Sequence, residues 1–311
     1  MISIQNLSRH FGAKKAVDNI SFEVHPGQVM GLLGPNGAGK STTMKMLTGC
    51  LRPTSGQVLL GSHDVWKQPL KAKSQLGFLP ESAPSYDDLT VVEFLHYLAA
   101  ICGLSGKTKR AAVDKAIGLC YLEPVRNQSV DTLSKGYKHR ICLAQSIVHD
   151  PAYIVFDEPT DGLDPNQKRE IQNLILEIKK EKCIILSTHI LDEVDAVCSD
   201  VVLLHNGQII RRGTPKQISA ESTKRRHLTI RAEGENIENT ILAEPKVTSL
   251  ISQESDSYTF DTTADTEEQR DQLAAAIYHL ASDKKWTLKK LTFQPGSLEE
   301  VFRTLTFATR N

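Results

Sequence analysis

The sequence predicts an α/β protein with a parallel-sheet core, an antiparallel β subdomain, a helical subdomain and a small C-terminal α+β module. Three observations predict this organisation. A glycine-rich loop at 34–41 separates a short apolar run from a helical pattern, and two later short runs are wholly apolar. Strands that are apolar throughout are typical of parallel sheets covered on both faces. The alternation of strands and helices then restarts after a charged stretch at 219–226.

The N-terminal region has the pattern of antiparallel strands. Apolar and polar side chains alternate over residues 1–30 and 56–66, as in Ser21-Phe22-Glu23-Val24 and Gln57-Val58-Leu59-Leu60. A period of two places one face of a strand against a core and the other against solvent. We therefore expect an antiparallel sheet beside the parallel core.

A complete G-x-x-x-x-G-K-S/T loop follows the first apolar run and reads Gly34-Pro35-Asn36-Gly37-Ala38-Gly39-Lys40-Ser41. Glycines let backbone N–H groups turn inward and form a concave site for anionic oxygens. Lys40 can reach the β- and γ-phosphates of a nucleotide, and Ser41 offers a hydroxyl to Mg²⁺. Val29–Leu33 is the predicted strand before the loop, and Ser41–Leu47 is the predicted helix after it, whose N-terminal dipole favours phosphate. The loop predicts a P-loop NTPase core that binds a nucleoside triphosphate with magnesium.

The middle of the chain is predicted to contain the helical subdomain, at about residues 86–150, and the rest of the parallel sheet. Thr90-Val91-Val92-Glu93 is a capping box at the start of a helix. The apolar runs Tyr153–Phe156 and Cys183–Leu186 are predicted parallel strands, and Gln167–Lys180 between them has the apolar spacing of a crossover helix. These elements extend the core around the phosphate loop.

The C-terminal part is predicted to be a separate module. Val201–Arg211 is a predicted hairpin closed at Asn206-Gly207. The charged stretch Ser219–Arg226 is interpreted as a linker, which divides the chain into a domain at 1–220 and an accessory module at 221–311. The predicted elements of the module are strands at His227–Arg231, Val247–Ser252, Tyr258–Thr262 and Trp286–Phe293, and helices at Thr266–Lys284 and Ser297–Thr306.

Composition restricts the class of protein. The chain has 311 residues and a formal net charge of zero, so no overall field favours nucleic acid or an anionic membrane. Its six cysteines form no C-x-x-C pair, which indicates reduced thiols in the cytosol rather than disulfides or a zinc site. The N-terminus begins as a strand rather than a signal peptide, and the longest apolar stretch, Val91–Leu104, is too short to span a bilayer. These features predict a soluble cytoplasmic protein without a nucleic-acid partner.

Two carboxylates end the apolar strand in Tyr153-Ile154-Val155-Phe156-Asp157-Glu158-Pro159. Asp157 stands at the strand tip beside the phosphate loop, where it suits a magnesium shell that retains several waters. Glu158 lies one residue further, where it can polarise a water in line with the γ-phosphate. We therefore predict Asp157 as a metal contact and Glu158 as the catalytic base.

Leu133-Ser134-Lys135-Gly136-Tyr137, which precedes a predicted helix, resembles the L-S-G-G-Q signature of ATP-binding cassette (ABC) proteins. The order of motifs is similar to that family over residues 2–218. The resemblance implies a RecA-like core and several site residues. They are Phe11 stacked on adenine, Gly34 to Thr42 on the phosphates, Glu81 as the Q-loop residue and a magnesium contact, Ser134 and Gly136 on the γ-phosphate of the opposite subunit, Asp164 at the dimer seam, and His189 as the catalytic switch histidine.

The chain departs from the family pattern at two motifs. Lys135 and Tyr137 replace glycine and glutamine in the signature, and Glu81 replaces glutamine in the Q-loop, where it adds negative charge near the γ-phosphate. Phe78-Leu79-Pro80-Glu81 and the C-terminal stretch Gly296–Phe302 resemble the ATP-binding subunits of drug-export and gliding-motility transporters.

The resemblance implies an ATP-hydrolysing subunit of an exporter. It would form a homodimer and attach to the cytoplasmic face of the membrane through a separate permease. Two alternatives stay open from the sequence. One is a soluble ABC protein of translation or DNA maintenance, although the chain has one cassette, no heptad insertion and no cysteine pairs. The other is a regulatory binding protein in which the C-terminal module dominates and hydrolysis is secondary.

Overall fold

The computed structural model describes residues 1–80 and 88–307, and the chain divides into two compact units between Pro215 and Lys216. The strands within the described residues are β1 (Ile2–Phe11), β2 (Lys14–Val24), β3 (Val29–Leu33), β4 (Ser55–Leu60), β5 (His63–Asp64), β6 (Leu76–Leu79), β7 (Tyr153–Asp157), β8 (Cys183–Thr188), β9 (Asp200–His205), β10 (Gln208–Gly213), β11 (Leu228–Glu233), β12 (Val247–Glu254), β13 (Ser257–Thr262) and β14 (Thr287–Phe293).

The helices within the same ranges are α1 (Lys40–Leu47), α2 (Pro69–Lys73), α3 (Val91–Ile101), α4 (Gly106–Leu119), α5 (Lys135–Ile147), α6 (Pro165–Ile178), α7 (Leu191–Val197), α8 (Pro215–Ser219), α9 (Ile237–Leu242), α10 (Glu267–Asp283) and α11 (Leu298–Phe307). The predicted core strands and the helix after the phosphate loop are confirmed, with boundaries that differ by at most two residues.

The core of the first unit is a sheet with strand order β10-β9-β3-β8-β7-β6. β3 pairs in parallel with β8 from Val29↔Ile184 to Leu33↔Thr188, and β7 pairs in parallel with β8. Every residue of β3, β7 and β8 is buried, as the wholly apolar runs predict. Because the strands are parallel, their carboxyl ends lie at one edge of the sheet, and the residues that follow them can meet there.

Two further layers cover this sheet. The strands β2-β1-β4-β5 form the predicted antiparallel sheet, whose apolar face packs with α1 and the core sheet in a cluster around Phe22, Met30 and Met44. Helices α3, α4 and α5 pack in a second cluster with core-sheet residues such as Phe156. The predicted capping box is present, because Thr90 N donates to Glu93 at 2.9 Å and Glu93 N donates back to Thr90 Oγ1 at 3.4 Å.

The predicted hairpin joins β9 and β10. Asn206 and Gly207 both have positive φ, 49° and 77°, as a two-residue type I′ turn requires. A Cβ at position 207 would lie 2.9 Å from the carbonyl oxygen of Ala16, so glycine also permits this close approach.

The second unit has the element order β11-α9-β12-β13-α10-β14 and an antiparallel sheet of order β12-β13-β11-β14, which is a ferredoxin-like topology. Its own core contains Ile230, Phe260 and Ile277. Residues 219–226, predicted as a linker, belong to this unit, because Ser222 and Thr223 donate hydrogen bonds to Glu300. The short α9 is an addition to the predicted elements.

Candidate nucleotide-binding site

An open cavity of about 550 Å³ lies at the carboxyl edge of the core sheet. The predicted site residues on its wall are Phe11, Pro35, Asn36, Gly37, Gly39, Lys40, Ser41, Thr42, Glu158 and His189. Lys14, Ala16 and Asp161 also line it and were missed by the sequence analysis. Lys14 pairs with Phe11 in the β1–β2 register, and Asp161 follows Glu158 by three residues, but neither belongs to a motif that the sequence displays.

The phosphate loop has the conformation that its glycines permit. Gly37 and Gly39 have φ of 82° and 108°, in the left-handed region. A Cβ at position 39 would lie 2.6 Å from the carbonyl oxygen of Ala16, and one at Gly34 would lie 2.5 Å from that of Leu204. Gly39 is the N-cap of α1 and supplies no side-chain cap, so the first N–H groups of the helix are left for an anion.

Lys40 is folded back onto this loop. Its ammonium donates hydrogen bonds to Gly34 O at 2.6 Å and Pro35 O at 3.4 Å, and the residue is only 6% exposed. Burial lowers the pKa of Lys40, while the carboxylates of Glu158 and Asp157 oppose that shift. A buried ammonium group at a phosphate loop is suited to binding phosphate oxygens.

Ser187 of β8 forms hydrogen bonds with both acidic residues at the end of β7. Its hydroxyl donates to Asp157, which is 4% exposed, and accepts the Glu158 N–H at 3.1 Å. Glu158 N also lies 3.2 Å from Ser187 O. Glu158 has a φ of 54°, which non-glycine residues rarely adopt and which surrounding contacts must maintain.

The predicted base and switch histidine are brought into contact. His189 Nδ1 lies 2.9 Å from a carboxylate oxygen of Glu158, although the two residues are 31 positions apart. Both sit just beyond neighbouring parallel strands, at the cavity wall. A carboxylate and an imidazole at this position can orient a water and a phosphate oxygen.

Phe11 is 48% exposed on the cavity wall, as a base-stacking ring must be. The guanidinium of Arg9, two residues earlier on the same strand, lies 4.5 Å from the ring centroid. Arg9 Nη1 also donates to Arg52 O at 2.9 Å, which anchors the guanidinium. The cation–π contact supports the orientation of the ring.

The signature and D-loop residues do not line the cavity. Ser134 caps α5 by accepting the Tyr137 N–H at 3.5 Å, and Gly136 is buried beside it. Asp164 caps α6 by accepting the N–H groups of Asn166 and Gln167. These three residues are therefore not on the wall of the cavity that the phosphate loop of the same chain lines. Glu81, the predicted Q-loop residue, lies outside the described residues.

The described residues contain no group of three His, Cys, Asp or Glu side chains arranged to hold a metal ion. Mg²⁺ beside a nucleotide needs only one or two protein oxygens, because phosphates and waters complete its shell. The hydroxyl of Ser41 on the cavity wall and the carboxylate of Asp157 at the strand end fit that limited role. Residues 1–80 and 88–307 include no helix long and apolar enough to cross a membrane.

Comparison with known proteins identifies the family. A family model described as "ABC transporter" matches residues 17–161, which include the phosphate loop and both carboxylates. The "Probable multidrug ABC transporter ATP-binding protein YbhF" of Escherichia coli is 35% identical over 71% of this chain, but the match spans 38% of YbhF. "Nod factor export ATP-binding protein I" of Burkholderia pseudomallei is 36% identical over 70% of this chain and 72% of its own length. The chain belongs to the ABC transporter ATP-binding protein family.

A solved structure agrees with this assignment. The "ATP binding subunit of ABC transporter" is 30% identical, has a TM-score of 0.66, and matches 71% of this ABC protein and 92% of its own chain. The predicted ABC resemblance and the P-loop NTPase fold are therefore confirmed.

Proposed function

We propose that this ABC protein binds and hydrolyses ATP and thereby powers a separate membrane permease that exports its substrate. One observation carries the catalytic part: the phosphate loop with Lys40 shares one cavity with the contacting pair Glu158 and His189. This places phosphate-binding groups opposite a carboxylate able to polarise water, which is the minimum apparatus for phosphoryl transfer to water.

In this proposal, the loop N–H groups and Lys40 hold the phosphates, and Glu158 polarises the attacking water. His189 orients Glu158 and donates a hydrogen bond toward the γ-phosphate. Mg²⁺, held by Ser41 and through water by Asp157, would neutralise charge on the phosphates. Phe11 stacks on the adenine, with Arg9 behind the ring.

A second copy of the chain would complete the site. Ser134, Gly136 and Asp164 lie away from the cavity of their own chain, and exposed Ser134 is at the N-terminus of α5. A helix N-terminus with a serine cap is suited to bind phosphate. We propose a head-to-tail homodimer in which each ATP lies between the phosphate loop of one copy and the Ser134 segment of the other.

The names of the relatives support a role in export, since one is a multidrug transporter protein and another a Nod factor export protein. They favour the transporter function over a soluble role in translation or DNA maintenance. We propose a cytoplasmic location at the inner membrane surface, through the permease, and no nucleic-acid partner, in line with the zero net charge.

Replacing Ser134 with arginine tests the head-to-tail arrangement. We expect Ser134→Arg to lower ATPase activity but to leave ATP binding to the same chain intact, because Ser134 serves the nucleotide of the neighbour. In a mixture with Lys40→Ala chains, one composite site of the mixed dimer carries both lesions and the other carries none. ATPase activity should therefore partly return on mixing. Absence of activity in mixed dimers demonstrated by dual-tag purification would contradict independent composite sites.

Removing the ring of Phe11 tests the base subsite. We expect Phe11→Ala to weaken ATP binding by roughly 5- to 150-fold, since base stacking on an aromatic side chain contributes about 1–3 kcal/mol. Affinity for inorganic tripolyphosphate, which has no base, should not change. Isothermal titration of both ligands separates the two effects, and Phe11→Tyr is the matched control that keeps a stacking ring. Equal loss of affinity for tripolyphosphate would mean that Phe11 supports the loop rather than the base.

A further inference from the structure

Glu193 is a buried carboxylate to which the proposed hydrolysis assigns no role. It lies in the first turn of α7 and is 4% exposed. Its Oε2 accepts a hydrogen bond from Thr188 Oγ1 at 2.8 Å, and its Oε1 accepts one from Thr160 Oγ1. Lys168 Nζ of α6 lies 3.6 Å from Oε1.

A carboxylate this buried is costly to desolvate unless it is fully hydrogen-bonded. Both threonines are buried as well, so water does not substitute freely for either contact. Removal of the carboxylate would leave buried hydroxyl groups without their acceptor, and the local structure would have to rearrange.

The two threonines belong to the two segments that hold the proposed catalytic pair. Thr188 directly precedes His189 at the end of β8, and Thr160 follows Glu158 by two residues after β7. Glu193 therefore forms a hydrogen-bonded bridge between the carboxyl ends of the two adjacent parallel strands β7 and β8. Ser187 makes a further side-chain link between them, through Asp157 and the Glu158 N–H.

This bridge has a mechanical consequence for Glu158. The left-handed backbone conformation of Glu158 persists only while the surrounding residues restrain it. Thr160, two residues further along the chain, is held in place by its hydrogen bond to Glu193. Thr188 Oγ1 also accepts the Ile190 N–H at 3.0 Å. The hydroxyl that donates to Glu193 therefore links the two residues that flank His189.

We propose that Glu193 is a positioning residue that sets the spacing of Glu158 and His189 without touching the nucleotide. The inference rests on the proposed function, in which this pair acts in ATP hydrolysis. Displacement of a catalytic group by about 1 Å costs on the order of 100-fold in rate. We expect Glu193→Ala to lower kcat by roughly 10- to 100-fold. The Kd for ATP should stay within about twofold, because the phosphate loop is held by separate hydrogen bonds, from Lys40 Nζ to Gly34 O and from Thr43 Oγ1 to Gly39 O.

The decisive experiment compares Glu193→Ala in two backgrounds by single-turnover hydrolysis. In the full-length wild-type chain, Glu193→Ala should lower the rate of hydrolysis. Glu193→Gln, which keeps the size of the side chain and part of its hydrogen bonding, should lower this rate less. In a Glu158→Gln chain, Glu193→Ala should have a smaller further effect, because the carboxylate that Glu193 positions is already absent and only His189 remains to be positioned. Asp192→Asn, an exposed carboxylate change on the same turn of α7, is the matched control.

Two results would overturn the inference: an unchanged kcat in folded Glu193→Ala, or an equal further loss of rate in the Glu158→Gln background. Should Glu193→Ala not fold, Thr188→Val, which removes one arm of the bridge at nearly constant volume, replaces it in both backgrounds. A wild-type chain that does not hydrolyse ATP, or a Glu158→Gln chain with the parental rate, would instead contradict the proposed function. The two failures are therefore distinguishable.

Discussion

Glu158→Gln is expected to slow ATP hydrolysis by roughly 10²- to 10⁴-fold while ATP binding is retained. The substitution preserves the size of the side chain and can keep a hydrogen bond to His189, which lies 2.9 Å away. It removes the negative charge that polarises the attacking water. The phosphate loop and the Lys40 contacts are unaffected, so the ground state with bound ATP should persist.

The expected physical consequence is a dimer that ATP stabilises, because the nucleotide that joins the two copies is not consumed. Size-exclusion chromatography with and without ATP would detect it, and a radiolabelled phosphate-release assay would measure the rate. Glu177→Gln on the exposed side of α6 is a matched control that also removes one carboxylate. Hydrolysis by Glu158→Gln at the parental rate would exclude Glu158 as the base.

Lys40→Ala is expected to weaken ATP binding by at least about 100-fold and to abolish turnover. Hydrogen bonds to a charged group contribute about 1.5–3 kcal/mol each, and this ammonium is predicted to bind two phosphates. The same substitution removes the hydrogen bonds from Lys40 Nζ to Gly34 O and Pro35 O. The nucleotide-free loop therefore also loses two contacts that hold its conformation. Both effects act against phosphate binding.

Fluorescent-nucleotide titration measures this loss directly. Lys45→Ala is the matched control, because Lys45 is an exposed lysine in the last turn of the same helix. Unchanged ATP affinity in Lys40→Ala, with normal thermal unfolding, would contradict the assignment of the loop.

Much of the fold could be predicted because its signals are local. The wholly apolar runs at β7 and β8, the capping box at Thr90 and the turn at Asn206-Gly207 each depend on a few contiguous residues. The prediction was less complete where packing decides structure. Residues 219–226 have the charge of a linker but fold into the second unit, because Glu300, far along the chain, accepts their hydrogen bonds.

The site shows the same division. Lys14 and Asp161 at the cavity wall carry no motif of their own, and only the position of the loops around the nucleotide cavity reveals them. Glu193 is an ordinary acidic residue in an amphipathic stretch of the sequence. Its burial and its hydrogen bonds to Thr160 and Thr188 arise because α7 packs beside the carboxyl ends of β7 and β8.

The sequence by itself determined the ligand class and named the candidate reacting groups, since a glycine-rich loop, its lysine and a pair of carboxylates after an apolar strand lie in short contiguous motifs. Only the tertiary structure decided which of these groups meet. The parallel register of β7 and β8 brings Glu158 to His189, and the course of β1 brings Phe11 to the phosphate loop. Contacts between residues far apart in the sequence depend on how strands pair and helices pack, and no local sequence pattern specifies which of those residues meet.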